Sequence, residues 1–243
     1  MAATITYLQN TGDATDLITY AFLAQNIGTA AADRYIICTV NGRSNDGGAR
    51  TITSVTLGAT GMTEVVDTTS NGNVNGIFIV AYPSGTSATV TVVFSDTMGD
   101  ANIALYECNG VGSTTATDSG TSVANPLTYA LDVEAGGIAV AIATTDDGSA
   151  TATWTGLTER FDDATAGGND KSGASDAFAT TQTNLTVSCT WTASSRPLYA
   201  VASFPGGTSG PANLKTYNTN LKANIKSIDT NLIANVKSLD TNV

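Results

Sequence analysis

Short apolar or alternating runs, broken about every eight to twelve positions by Gly, Asn, Asp, Ser or Pro, fill the first 207 residues. The runs fall at 17–23, 34–40, 50–57, 63–66, 76–82, 88–94 and 101–108, and again at 126–133, 138–144, 151–155, 158–161, 175–180, 184–191 and 198–204. Ala88-Thr89-Val90-Thr91-Val92 alternates as a strand with one wet face does, whereas Ile77-Phe78-Ile79-Val80 is apolar throughout and predicts burial on both faces. Asn41-Gly42, Asn45-Asp46-Gly47-Gly48, Ser70-Asn71-Gly72-Asn73 and Pro83-Ser84-Gly85 read as turns between them. This punctuation predicts antiparallel sheets stacked as a sandwich.

The pattern occurs twice. Ile18-Thr19-Tyr20-Ala21-Phe22 is echoed by Leu127-Thr128-Tyr129-Ala130-Leu131, and Gly61-Met62-Thr63-Glu64 by Gly156-Leu157-Thr158-Glu159. Val90 to Phe94 matches Val187 to Trp191, and Ala104-Leu105 with Asn109-Gly110 matches Ala200-Val201 with Pro205-Gly206. The same order in both halves predicts a duplicated unit. The expected organisation is one β-sandwich copy over 1–111, a polar connector over 112–124, a second copy over 125–207 and a separate segment over 208–243. The copies are either two lobes sharing an interface, the arrangement expected here, or two halves of one pseudo-symmetric jelly roll.

The last segment repeats every eleven residues: Ala212-Asn213-Leu214-Lys215, Ala223-Asn224-Ile225-Lys226 and Ala234-Asn235-Val236-Lys237. Its apolar residues Leu214, Tyr217, Leu221, Ile225, Ile228, Leu232, Val236, Leu239 and Val243 recur in a 3-4-4 spacing, which lays one stripe on a helix with slight right-handed supercoil. Its Asn, Thr, Ser and Asp compete with helical backbone bonds, and the alternation of Leu232, Ala234 and Val236 suits an extended chain with turns at Asp-Thr-Asn. The extended form is preferred. In either form so few apolar side chains cannot close a core, so they are expected to be covered by another surface.

Composition sharpens this picture. Apolar residues make up 42 % and charged residues 13 %, with Thr, Ala, Gly, Ser and Asn filling the remainder, a strand-forming rather than helix-forming mixture. The first 207 residues carry six basic and nineteen acidic side chains, and the segment beyond carries four basic and two acidic. An acidic body repels phosphate backbones and anionic lipid, so neither nucleic acid nor membrane is an expected partner. The start, Met1-Ala2-Ala3-Thr4, lacks a charged region followed by an apolar run, and no signal peptide is expected. Cys38, Cys108 and Cys189 sit in strand-like runs without paired spacing and are read as small buried residues, with a Cys38–Cys108 bridge as the alternative.

Histidine is absent, which removes the commonest general base and most zinc sites. Glu64 and Glu159 are the obvious acid–base candidates, but they occupy equivalent places in the two copies, which suits a structural role better than one active site. Asp146-Asp147, Asp162-Asp163, Asn169 and Asp170 supply oxygen-rich loops that could hold calcium, although their spacing matches neither the EF-hand nor Gly-Gly-x-Gly-x-Asp repeats, and solvated acids are the simpler reading. Trp191 aligns with Phe94 and Trp154 falls near Leu57, so both read as core rather than as a sugar-binding platform. No catalytic residue, cofactor or metal is expected.

The tail's Ala-Asn-[Leu/Ile/Val]-Lys-[Thr/Ser] repeats resemble the C-terminal Lys-Ser-Ile-Asn-Gly-type repeats of tailed-bacteriophage virion proteins. Gly48-Ala49-Arg50-Thr51, Gly156-Leu157-Thr158-Glu159 and Gln182-Thr183-Asn184-Leu185-Thr186-Val187 are similar to segments of the same group. Asp229-Thr230 and Asp240-Thr241 depart from it where Asn-Gly is usual. The resemblance implies a non-enzymatic virion component of head, neck or tail, assembled in the host cytoplasm, whose partners are other virion proteins and copies of itself. Leu214, Tyr217, Leu221, Ile225, Ile228, Leu232, Val236 and Leu239 would be the apolar anchors, with Lys215, Lys226 and Lys237 orienting them on acidic surfaces. A receptor- or carbohydrate-binding module with a host-surface glycan as ligand is the alternative, and a glycoside hydrolase comes third.

Overall fold

The strands follow the apolar runs in chain order, in a computed structural model that describes residues 1–164 and 169–207. They are β1 (Thr4–Asp13), β2 (Leu17–Asn26), β3 (Arg34–Arg43), β4 (Ile52–Leu57), β5 (Thr60–Gly61), β6 (Thr63–Ser70), β7 (Asn73–Ala81), β8 (Ser87–Met98) and β9 (Asp100–Asn109). A second series contains β10 (Asp118–Ser122), β11 (Leu127–Val133), β12 (Ile138–Thr145), β13 (Ala152–Thr155), β14 (Glu159–Ala164), β15 (Asp170–Ala177), β16 (Gln182–Trp191) and β17 (Leu198–Phe204). The described residues are all-β, and every strand pairing is antiparallel.

Four sheets result, in the orders β1-β9-β3-β7-β6, β2-β8-β4-β5, β10-β17-β12-β15-β14 and β11-β16-β13. The first two enclose a core with Phe78 and Leu105 on one side and Tyr20, Val92 and Phe94 on the other. The last two enclose another around Leu131, Ala141, Val187 and Trp191. The two five-stranded sheets also meet face to face, with Ile37, Ile77, Ile79 and Tyr106 against Ile138, Val140, Ile142 and Ala202. The sandwich-like stack is therefore four layers deep, and Met1–Gly207 form one compact unit. We refer to β1–β9 and β10–β17 as the first and second lobes.

Layering explains the two sequence textures. Strands of the inner sheets meet apolar layers on both sides, so Ile77 to Val80 is continuously buried, as its unbroken apolar run predicts. Strands of the outer sheets have one wet face, so β8 alternates Val90, Val92 and Phe94 inward with Thr89, Thr91 and Val93 towards the surface. The sequence expectation stopped the chain at Asn41-Gly42, but β3 runs through both, because Gly42 lies under Phe94 and Met98, where a Cβ would come within 2.9 Å of either side chain. Ser70-Asn71-Gly72-Asn73 is the expected turn: Asn71 and Gly72 have φ of 49° and 87°, the pair of left-handed conformations a tight hairpin requires.

Three strands escape the apolar pattern. The segment read as a connector contains β10, a polar strand that closes the edge of its sheet against β17. Strand β1 pairs with β9 along the corresponding edge of the first lobe. β15 begins at Asp170 rather than at 175, since its buried Ser172, Gly173 and Ser175 lack the bulk that marks a strand. Phe161 and the Tyr106 hydroxyl occupy the space over Gly173, which is why small residues stand there.

All three cysteines are buried and unbridged. Cys38 faces the core of the first lobe and Cys108 faces the layer between lobes, so the alternative bridge is excluded by their position on opposite faces of one sheet.

Candidate functional site

The anchors expected from the sequence, Leu214, Tyr217, Leu221, Ile225, Ile228, Leu232, Val236 and Leu239, together with Lys215, Lys226 and Lys237, lie outside the described residues. Within the described body the densest polar chemistry is buried between the lobes. The inner sheets meet through apolar side chains over most of their length, but at the end carrying Arg43 and Asp100 the facing residues become Asn, Asp, Arg and Lys.

Strand pairing builds this end row by row. Asn41 stands between Asn75 of β7 and Asn102 of β9, and Arg43 between Asn73 and Asp100. From the other lobe come Thr144 of β12, Asn169 and Lys171 beside β12, and Asp146 and Arg196 just beyond the strand ends. Residues two apart on one strand share a face, so these side chains converge. Most are almost fully buried, Asn75 and Asn169 completely.

Hydrogen bonds cross the seam repeatedly. Asn75 Nδ2 donates to the Leu198 carbonyl at 3.0 Å and Asn73 Nδ2 to that of Arg196 at 3.0 Å. Thr144 Oγ1 donates to Asn75 Oδ1 at 3.3 Å, and Asn169 Nδ2 to Asn41 Oδ1 at 3.0 Å. Lys171 Nζ donates to Asn102 Oδ1, and Asn10 Nδ2 to Asp163 Oδ2. Arg43 pairs with Asp146 at 3.3 Å, and Arg196 contacts the other oxygen of the same carboxylate. A buried array of this kind makes these bonds in one relative placement of the lobes and loses them in others, so it fixes how they dock.

Burial also shifts the ionisable groups of the array. It pulls the Lys171 ammonium down to about 8, against the opposing pull of the Asp163 and Asp100 carboxylates. It pushes Asp100 up, although Arg43, Asn169 and Lys171 hold it in the other direction.

The remaining candidates are dispersed. Glu64 and Glu159 stand at matching bulges on β6 and β14, each opposite β7 or β15, and each is shifted upward by partial burial and by the next acid, Asp67 or Asp162. Asp146 and Asp170 are not the solvated loop acids expected. The former is held by two arginines, and the latter is buried and accepts from the Ala150 amide at 2.8 Å. Asp162 accepts from the Ala152 amide at 2.9 Å, and among the described residues no group of three His, Cys, Asp or Glu is placed to hold a metal. Trp191 is buried, and Trp154 packs on Tyr199 while donating to Ser172 Oγ at 2.7 Å, so both serve the core as their alignment predicts.

Sequence reasoning missed the seam array because its members look like turn residues. The available signal was amide and charged side chains at alternate places: Asn73 and Asn75, Asn41 and Arg43, Asp100 and Asn102. No protein-family model matches the chain, and comparison with curated proteins finds no match.

Proposed function

We propose that this chain is a non-enzymatic structural component of a bacteriophage virion, a decoration, neck or tail protein. Its body would be a duplicated antiparallel β-sandwich, and its C-terminal repeat would attach it to other virion proteins or to copies of itself. The observation that carries the reading is a contrast. The described residues of 1–207 bury apolar side chains in their own layers, whereas the sequence of 208–243 sets nine apolar residues in a regular 3-4-4 spacing, with Ile233 beside them, too few to close a core.

Duplication is supported by the corresponding strand orders of the two five-stranded sheets, by outer sheets that correspond except for the short β5, and by the matching bulges at Glu64 and Glu159. It is further supported by register: Thr39 pairs with Ala104 as Ile142 pairs with Ala200, the two alanines being the ones equated in the sequence. The outer sheets differ by a slip of two residues, Tyr20 facing Val92 but Tyr129 facing Val187, and an even slip keeps every side chain on its face.

Removal of residues 208–243 tests the assembly role. The truncated chain is expected to keep its thermal transition but to lose incorporation into particles or self-association, read by sedimentation. Unchanged incorporation would contradict the proposal. A glycan-binding module is the alternative, favoured only if the intact protein shows selective, saturable binding on a glycan array.

A further inference from the structure

We propose that Lys171 and Asn102 become joined by an intramolecular isopeptide bond, with Asp100 carrying the proton, so that the two lobes are held by a covalent cross-link as well as by packing. Lys171 belongs to β15 of the second lobe and Asn102 to β9 of the first, and their side chains are in direct contact inside the seam. Asp100 and Asn102 project from the same face of β9, and each is only 2 % exposed. Nucleophile and electrophile thus touch away from water, with the proton carrier on the same strand face two residues away and near enough for its charge to act on Lys171, and proximity and desolvation do most of what such a reaction needs.

Three further features suit the chemistry. Asn102 Nδ2, the nitrogen that would leave, has no hydrogen-bond partner among the described residues, an unusual state for a buried amide. Residue 12, opposite Asn102 in β1, is glycine, and a Cβ there would overlap the Asn102 amide oxygen and sit 3.3 Å from Lys171 Nζ. Burial favours the uncharged amine at Lys171 and the uncharged acid at Asp100, the pair of protonation states the reaction uses. The exposed Asp163, cross-strand from Lys171, and Arg43, opposite Asp100, are the other charged groups bearing on this set.

The step balances without any co-reactant. The Nζ lone pair attacks Asn102 Cγ, and the carbonyl electrons move to Oδ1, which accepts a hydrogen bond from the Asp100 acid. Asp100 relays a proton from Nζ to Nδ2; the carbonyl re-forms, the Cγ–Nδ2 bond breaks, and ammonia leaves. One Nζ–Cγ bond replaces one Cγ–Nδ2 bond, and Asp100 is regenerated. The link spans residues 69 apart in sequence and closes the seam at its polar end.

The test is the intact mass of the denatured full-length chain. The expected value is lighter than the sequence by one ammonia, and proteolysis is expected to yield one branched peptide joining the segments around 102 and 171. Lys171→Arg and Asp100→Asn are expected to restore the full mass. A wild-type chain of full mass overturns the proposal, as does loss of water in place of ammonia, or an ammonia loss that persists in Lys171→Arg. If either variant fails to fold, the branched peptide of the wild type decides alone.

Discussion

Arg43 and Asp146 occupy equivalent positions in the two lobes, four residues beyond Thr39 and Ile142, and they pair across the seam at 3.3 Å. The same counting makes Asp100 the counterpart of Arg196, four residues before Ala104 and Ala200. Charge is therefore exchanged between the lobes: Arg43 with Asp100 in the first, Asp146 with Arg196 in the second. Two identical faces meeting about a pseudo-twofold axis would set like charges against each other. The exchange makes pairing of unlike lobes the favourable one.

Asp146→Ala leaves two partly buried arginines without their shared carboxylate. Removal of one partner from a buried pair costs about 3 kcal/mol, so urea unfolding is expected to shift to lower denaturant by that amount. The exchanged double variant, Arg43→Asp with Asp146→Arg, is expected to recover less than half of the loss, because Arg196 then faces a second arginine.

Tyr20 and Tyr129 are sequence equivalents with different surroundings. Tyr20 is fully buried, its hydroxyl 2.7 Å from the Thr15 carbonyl and 2.8 Å from that of Met98, whereas Tyr129 is half-buried and bonds Asp118 Oδ1 at 3.1 Å. Tyr20→Phe removes the one hydroxyl proton shared between the buried Met98 carbonyl and the part-buried Thr15 carbonyl, and is expected to cost about 1–2 kcal/mol in thermal or urea unfolding. Tyr129→Phe should cost less than half as much. Equal losses would contradict the difference in burial.

The three thiols are buried, and burial pushes each above its ordinary range. A thiol reagent at neutral pH is therefore expected to modify none of them in the native protein and all three after denaturation. Reaction with one thiol only after denaturation would reveal a bridge between the other two.

A pH dependence follows from Lys171 in the Asp100→Asn chain, where it stays a free amine and burial remains the dominant influence. Burial pulls Lys171 down to about 8 in the native sequence although the Asp100 carboxylate holds it up, and removing that carboxylate lowers it further, so between the folded value and the ordinary 10.5 the unfolded chain binds more proton. Stability from this group accordingly rises with pH through that window, and the cost of burying the cation is fully present below the folded value. The wild-type chain, its amine consumed in an amide, should lack this rise; unfolding midpoints at pH 7.5 and 10 compare the two.

Legibility varied with the layer a residue occupies. Ile77 to Val80 and Ile138 to Ala143 announced themselves because apolar contact on both sides demands apolar side chains at every position. Tyr20 with Tyr129, and Ala104 with Ala200, were recognisable as pairs because equivalent strands keep equivalent residues. β10 and the start of β15 were not legible, since an edge strand can be polar and a crowded one must be small.

The amino-acid sequence alone determined the strand-rich class, because alternation and turn residues are local properties of the chain; the echoed segments and the eleven-residue spacing are equally local, and on them rest the proposed duplication and tail. Tertiary structure alone decided that the inner sheets meet, that Arg43 finds Asp146 and that Lys171 reaches Asn102. These residues are far apart along the chain, and a buried Asn or Lys looks the same in sequence as a solvated one until another layer covers it.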